Sequence, residues 1–261
     1  MSTAPPGVAL FGYGRFGQAF AELLRQAGHP VQVVDPHAAV PAELAAPSPA
    51  AATHGASWVV LAMPVPQLRA ALLALRPLLH GGHTVLDVGS VKLRPCAVMD
   101  ELLGADIPHV GSHPLFGPLS LARGERPRRV VVCPATAHPQ AAARAGELFG
   151  TLGCEVIVQD PESHDRAMAR THALAFFLAK GLIDMGVDAS LPLAPPSFQG
   201  MQRMLEAVRG DAGHLFGAIQ RENPFAAEAR RDLLHELERI HRQLLAATGD
   251  GMAIAPRAGC D

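Results

Sequence analysis

Three glycines at fixed spacing give this chain its first chemistry: Gly12-Tyr13-Gly14-Arg15-Phe16-Gly17. An apolar run at residues 7–11 precedes them. Residues 18–27 carry helical apolar spacing at Phe20, Leu23 and Leu24, and residues 31–34 read as a second strand closing on Asp35. In that strand, turn, helix, strand order each glycine has a task. Gly12 permits the tight turn, Gly14 lets backbone approach a pyrophosphate, and Gly17 lets the helix pack close to the strand. The helix start presents free N–H groups to phosphate, which brings the backbone of Arg15 and Phe16 into the candidate cofactor site. Asp35, at the end of the second strand, can accept both ribose hydroxyls and would repel a 2′-phosphate. The expected cofactor is therefore NAD rather than NADP.

Other groupings lead away from metal and thiol chemistry. Cys96, Cys133, Cys154 and Cys260 are widely spaced and form no CxxC pair, so neither a zinc ribbon nor a thioredoxin-like site is expected. Such cysteine usage fits a reducing, cytoplasmic compartment. His235-Glu236-Leu237-Glu238-Arg239-Ile240-His241 resembles a zinc signature, but the fourth position after His235 is Arg239. No metal is expected.

The elements that must position these residues alternate. Strands are predicted at 57–62, 84–88, 129–133 and 155–159, with helices at 68–79 and 141–152 between them. This is an α/β pattern, a Rossmann-type doubly wound parallel sheet covered on both faces. Ligands bind such sheets at the carboxyl ends of the strands. The glycine turn, Pro64, Ser90 and the segment Gly111-Ser112-His113-Pro114 all fall at predicted strand ends. After Asp160 the pattern becomes helical: a long helix over 161–187 starting near Ser163, then helices at 197–208, 211–222 and 224–248. We therefore expect a dinucleotide-binding domain at 1–160, a helical domain at 161–248 and a loose tail at 249–261.

Composition agrees with a globular protein. Basic and acidic residues nearly balance, 22 against 24 for a net charge of −2, which leaves no overall basic field for a nucleic acid. The apolar segment 167–187 carries Arg170, His172, Lys180 and Asp184, so a buried helix is expected there rather than a membrane span. No signal peptide is evident.

Four segments together resemble the prephenate and arogenate dehydrogenase family of tyrosine biosynthesis. They are the glycine turn, Asp87-Val88-Gly89-Ser90-Val91-Lys92, His113-Pro114-Leu115-Phe116-Gly117-Pro118, and His164-Asp165 opening the helical region. The resemblance spans about residues 7–245. It implies NAD-dependent oxidative decarboxylation of prephenate to 4-hydroxyphenylpyruvate, or of arogenate to tyrosine. A non-catalytic NAD-binding module of the same fold is the contrasting possibility.

The resemblance also implies roles. His113 matches the family's catalytic histidine, which accepts the hydroxyl proton while hydride leaves. Ser90 matches the serine that orients the histidine or the substrate hydroxyl, and it can also cap the following helix. Lys92 is expected to be solvated. Arg203, ahead of Arg209, is the expected cationic partner for a substrate carboxylate. His172 is expected near the substrate, where some members carry a second histidine and this chain has Ala175. Asp165 is expected to favour the positive end of its own helix. A homodimer through residues 161–248 is expected from Leu174, Phe176, Phe177, Leu178, Leu182 and Ile183, with the site between the domains. Tyrosine inhibition, without an appended regulatory domain, would then act at the active site.

Overall fold

The computed structural model describes residues 5–187, 194–210 and 213–246. The expected tail at 249–261, with Cys260, lies outside the described residues. Twelve elements alternate first: β1 (Val8–Phe11), α1 (Arg15–Gln26), β2 (Val31–Val34), α2 (Pro49–His54), β3 (Trp58–Leu61), α3 (Val65–Leu75), β4 (Thr84–Asp87), α4 (Leu93–Leu103), β5 (His109–Pro114), α5 (Pro118–Ala122), β6 (Arg128–Pro134) and α6 (Pro139–Thr151). Then come β7 (Cys154–Val158), α7 (Pro161–Met168), α8 (Leu174–Asp184), α9 (Gln199–Arg209), α10 (His214–Arg221) and α11 (Ala226–Ala246).

β1, β3 and β4 are buried along their whole length, as continuous apolar strands covered on both faces must be. The pleat sends alternate side chains into two cores. Val8, Leu10, Trp58 and Val60 join Phe20, Leu24 and Phe149 from α1 and α6 on one face. Ala9, Phe11, Val59 and Leu61 join Leu68, Leu72, Met99 and Leu103 from α3 and α4 on the other.

The seven strands lie in the order β2-β1-β3-β4-β5-β6-β7. The chain leaves β1 toward β2 and resumes at β3 on the opposite side of β1. That reversal is the crevice where ligands enter such sheets, and the glycine turn stands in it. The expected all-parallel sheet needs one refinement: β6 runs antiparallel to β5, and β7 runs parallel to β6. A parallel neighbour needs a crossover long enough to return the chain to the other end of the sheet. Between β5 and β6 stands a five-residue helix, α5, so the chain re-enters from the end it left.

One buried cluster binds β4, β5 and α4 together. Lys92, expected in solvent, is fully buried. Its ammonium donates to both carboxylate oxygens of Asp87, at 2.5 and 2.6 Å, and to the Ser112 carbonyl at 2.6 Å. The Ser112 hydroxyl in turn donates to the Asp87 carbonyl at 2.7 Å. Burial pushes the Asp87 carboxyl upward, and the Lys92 ammonium opposes that shift. Three donors and three acceptors met in one place is how a buried lysine becomes tolerable.

The helical part has a core of its own, built from Ala173, Phe176, Ala179, Leu205, Val208, Ile219 and Ala226. α7 begins at Pro161 rather than near Ser163, because the Asp160 side chain caps it by accepting the Ser163 N–H at 2.9 Å. The expected single helix over 161–187 is interrupted by a π-helical turn at Ala169–Ala173. Of the residues expected to face a second copy, Phe176 closes into this core, and Leu182 and Ile183 pack against it. The exposed apolar stripe lies instead on α11, at Leu234, Leu237, Ile240, Leu244 and Leu245.

Removing one member of the buried ion pair exposes its worth. Lys92→Met should lower the unfolding free energy by about 3–5 kcal/mol in urea titration, because the Asp87 charge stays buried without a counterion. Adding Asp87→Leu should recover part of that loss.

Candidate active site

The carboxyl ends of β1, β3, β4 and β5 form a row, and each carries part of the site. At β1, Gly12 has a φ of 105°, a conformation that favours glycine, and a side chain there would press on the Ala62 carbonyl after β3. A side chain at Gly17 would press on the Gly12 carbonyl. At Gly14, by contrast, a side chain would meet no protein atom within 4 Å. Gly14 is also the N-cap of α1 and supplies no capping side chain. The first-turn amides of α1 therefore face an open space suited to a pyrophosphate.

Asp35 finishes β2 and braces this turn. Its carboxylate accepts the Tyr13 N–H at 2.6 Å, the His37 N–H at 2.8 Å and the Ala38 N–H at 3.0 Å. Partial burial works against ionisation, but these three backbone donors and the nearby His37 charge hold the carboxyl below its ordinary value. Three of its about four lone-pair sites are taken by these donors, and the one left over fits a ribose hydroxyl. Phe16 contributes through its backbone, since its ring packs on Phe20 and Phe116. That second contact ties the glycine turn to the His113-to-Pro118 segment. Arg15 is exposed, with its guanidinium near Gly210 at the end of α9. Pro64 is the N-cap of α3, three residues beyond the end of β3. These residues fit a dinucleotide.

His113 ends β5 one residue before Pro114 and is buried. Its Nδ1 lies 2.9 Å from Nε2 of His164, itself fully buried on α7. Its ring lies parallel to His172, with centroids 6.0 Å apart and planes 15° apart. His172 in turn stands edge-on to Phe176 at 4.7 Å. His172 sits in the π-helical turn, an irregularity frequent at functional sites. Burial, then the charges of His164, His172 and Lys92, holds the His113 imidazole well below its usual 6.5. It is a neutral base at neutral pH.

The remaining sequence-derived positions fare differently. Ser90 is half-buried in the turn between β4 and α4, one strand from His113. It does not cap α4. That task falls to Asp165, whose carboxylate accepts the Lys92 N–H at 2.7 Å and the Leu93 N–H at 2.9 Å. Asp165 thus serves the positive end of a neighbouring helix rather than its own, because α4 starts at Leu93, beyond the reach expected of Ser90. Arg203 is exposed on α9, and no described hydrogen bond or ion pair joins it to His113. Arg209 donates to the Val187 carbonyl at 2.9 Å.

Three groups escaped the sequence reading: the buried Lys92–Asp87 pair, the His164 contact to His113, and Asn223. The Asn223 amide donates to the Asp165 carbonyl at 2.7 Å and holds α7 from the helical side. The adjacent pair His164-Asp165 was visible, but its partner lies 51 residues earlier. Among the described residues no cluster of potential metal ligands occurs. No described helix is long and apolar enough to cross a membrane.

A dinucleotide crevice at the switch point, with a neutral buried histidine at the end of a nearby strand, defines a nicotinamide-dependent dehydrogenase. Residues 21–158 match the family described as prephenate dehydrogenase, nucleotide-binding domain. The chain belongs to the prephenate dehydrogenase family. It is 31% identical over 249 residues to a 4-amino-4-deoxyprephenate dehydrogenase of Streptomyces pristinaespiralis, covering 89% of this chain and 82% of that one. It is 26% identical over 192 residues to a protein of Methanocaldococcus jannaschii described as a probable arogenate/prephenate dehydrogenase, covering 70% of this chain and 42% of that longer one. In fold it is similar to a prephenate dehydrogenase of A. aeolicus solved with hydroxyphenyl propionate and NAD+. That match has a TM-score of 0.73 at 20% identity and covers 94% and 93% of the two chains.

The cofactor half of the site can be checked alone. Asp35→Ala should weaken NAD about 10- to 100-fold in a fluorescence titration, since it removes a charged acceptor. The same change should raise the affinity for NADP relative to NAD.

Proposed function

We propose that this protein is an NAD-dependent dehydrogenase that oxidatively decarboxylates prephenate. The observation that carries the reading is the orientation of His113. Its Nδ1 is engaged by His164, so Nε2 is the nitrogen left to take a proton from the substrate hydroxyl. NAD, when bound, supplies the hydride acceptor. Loss of carbon dioxide makes the ring aromatic and drives the reaction forward, so the protein's task is to orient the ring and remove one proton. We assign Ser90 to hold the hydroxyl and His172, whose ring lies parallel to His113, to line the substrate ring. Arg203, exposed on α9, is the candidate for a substrate carboxylate.

A second substrate has a specific observation behind it. A relative that aligns over most of both chains is named for 4-amino-4-deoxyprephenate, which bears nitrogen where prephenate bears the hydroxyl. Arogenate is the third substrate to offer. We also assign residues 1–160 to the cofactor and 161–248 to substrate and dimer contacts. The exposed α11 stripe is long enough to pair with its copy about a two-fold axis.

The test is reduced nicotinamide absorbance with each of the three substrates. Turnover should fall about 10²- to 10⁴-fold in His113→Ala while NAD still binds. No reduction with any of them would reject the reading. Because the His113 pKa is depressed, the rate should rise with pH through a value below 6.5 and then stay level. Leu237→Arg combined with Leu244→Arg should turn a dimer into a monomer in light scattering.

A further inference from the structure

His113 does not stand alone. Behind it runs an unbroken line of buried groups. His113 Nδ1 lies 2.9 Å from His164 Nε2, and His164 Nδ1 lies 2.8 Å from Asp165 Oδ1. His164 and Asp165 have no exposed surface. The carboxylate is held at both oxygens by the Lys92 and Leu93 N–H groups at the start of α4. Its backbone carbonyl is held by Asn223. Asp165 therefore cannot turn away from His164 without emptying a helix cap.

We infer that His164 and Asp165 are positioning residues for the reaction, a dyad that fixes the tautomer of His113 and shares the proton His113 removes. This rests on the proposed dehydrogenase reading for its rate consequences, but not for its structural ones.

The tautomer follows from donors and acceptors. A carboxylate can only accept, so His164 Nδ1 must carry hydrogen toward Asp165. Neutral His164 then has a bare Nε2, which can only accept. His113 must therefore donate from Nδ1, and its Nε2 is bare and basic. One carboxylate thus decides, through two rings, which nitrogen of His113 faces the substrate.

The same line gives the proton a destination. As the substrate's carbon–hydrogen bond breaks, hydride leaves for the oxidised nicotinamide and the hydroxyl proton passes to His113 Nε2. The Nδ1 proton of His113 moves to His164 Nε2, and the carbon–carboxylate bond then breaks to release carbon dioxide, its electron pair passing through the ring to the carbonyl oxygen as a phenolate. His164 is meanwhile an imidazolium hydrogen-bonded to the Asp165 carboxylate, and the proton returns along the same line to the phenolate, leaving both rings neutral. The other groups facing the His113 ring are unsuited to this task. His172 lies parallel to it at 6.0 Å, and Lys92, paired with Asp87, is a cation that disfavours charge on His113. A positive charge is better supported one ring further back, beside Asp165.

Two variants separate positioning from mere structure. In Asp165→Asn the amide oxygen can still accept from the Leu93 N–H, while the amide nitrogen, standing where Oδ1 stood, would donate to His164 Nδ1 and leave the Lys92 N–H without an acceptor. That reverses both rings and leaves His113 Nε2 protonated, unable to accept. kcat should fall at least 100-fold with NAD affinity close to that of the parent, and the melting temperature should drop because one buried donor of α4 loses its acceptor. In His164→Gln the amide oxygen can still accept from His113 Nδ1, but it cannot take a proton. kcat should fall about tenfold, and α4 is untouched, so this variant decides the matter if Asp165→Asn folds poorly.

In Asp165→Asn the loss of the carboxylate should move the acidic limb of kcat/KM to lower pH, whereas in His164→Gln the loss of the His164 charge beside His113 should move it to higher pH. A purely structural defect would lower the rate without moving that limb. Imidazole nitrogen shifts of the resting protein report the tautomer with no substrate present. They should show His113 protonated at Nδ1 in the parent and at Nε2 in Asp165→Asn. Parental kcat with an unmoved limb in His164→Gln, or His113 protonated at Nε2 in the parent, would overturn the inference. Absence of turnover by the parent on all three substrates, with the Nδ1 tautomer present, would reject the reaction and leave the dyad standing.

Discussion

A fully buried carboxylate must be surrounded by donors, and in this protein that requirement joins the two halves of the chain. Asp165 belongs to the first helix after the sheet, yet its oxygens are satisfied by amides of α4 and by His164. The α/β part supplies the helix start and the helical part supplies the charge. Neither is complete alone. The position of His164 against His113 is a by-product of that pairing, so the geometry of the proton acceptor depends on how the two parts dock. Ion pairs at the rim, Arg94 with Glu222 and Arg123 with Glu206, join the same two parts but are half in solvent and hold them only weakly.

Beneath this lies a second buried charge, the Lys92 ammonium. It draws β4, β5 and the start of α4 into register one residue before His113. The two clusters share a residue: the backbone N–H of Lys92 serves Asp165 while its side chain serves Asp87. The site is thus over-determined from below by polar contacts and from the flank by Phe16 on Phe116. Such redundancy is what holds a reacting group to the small tolerances that catalysis requires.

Much of this was legible in the sequence wherever the signal is local. The glycine turn, the acid ending β2 and the shift from strands to helices at Asp160 are all short-range patterns, and the structure has the turn after β1, Asp35 after β2 and a first helix from Pro161. His113 was legible through a motif. What escaped was non-local. Lys92 reads as a surface residue because its partners, Asp87 and the Ser112 carbonyl, become neighbours only when β4 and β5 pair. Asp165 reads as part of its own helix because nothing in the sequence announces that α4 lacks a cap. The reversed β6 follows from the shortness of α5, which residue types at 115–127 do not reveal. The π-helical turn leaves no mark in apolar spacing at all.

That turn has a consequence for heredity. A π-helical turn holds one residue more than the regular helix around it, so a length change there can be absorbed without breaking either flank. Deleting one residue from Ala169–Ala173 would yield an ordinary helix, because the wide turn already takes up the extra residue that would otherwise advance the face by about 100°. The shortened chain would keep α7 with its Asp165, and α8 with its core face, on nearly their present headings. Only the turn itself, His172 within it, would change place, so single-residue length variation here would rewrite the lining beside His113 while leaving the frame intact.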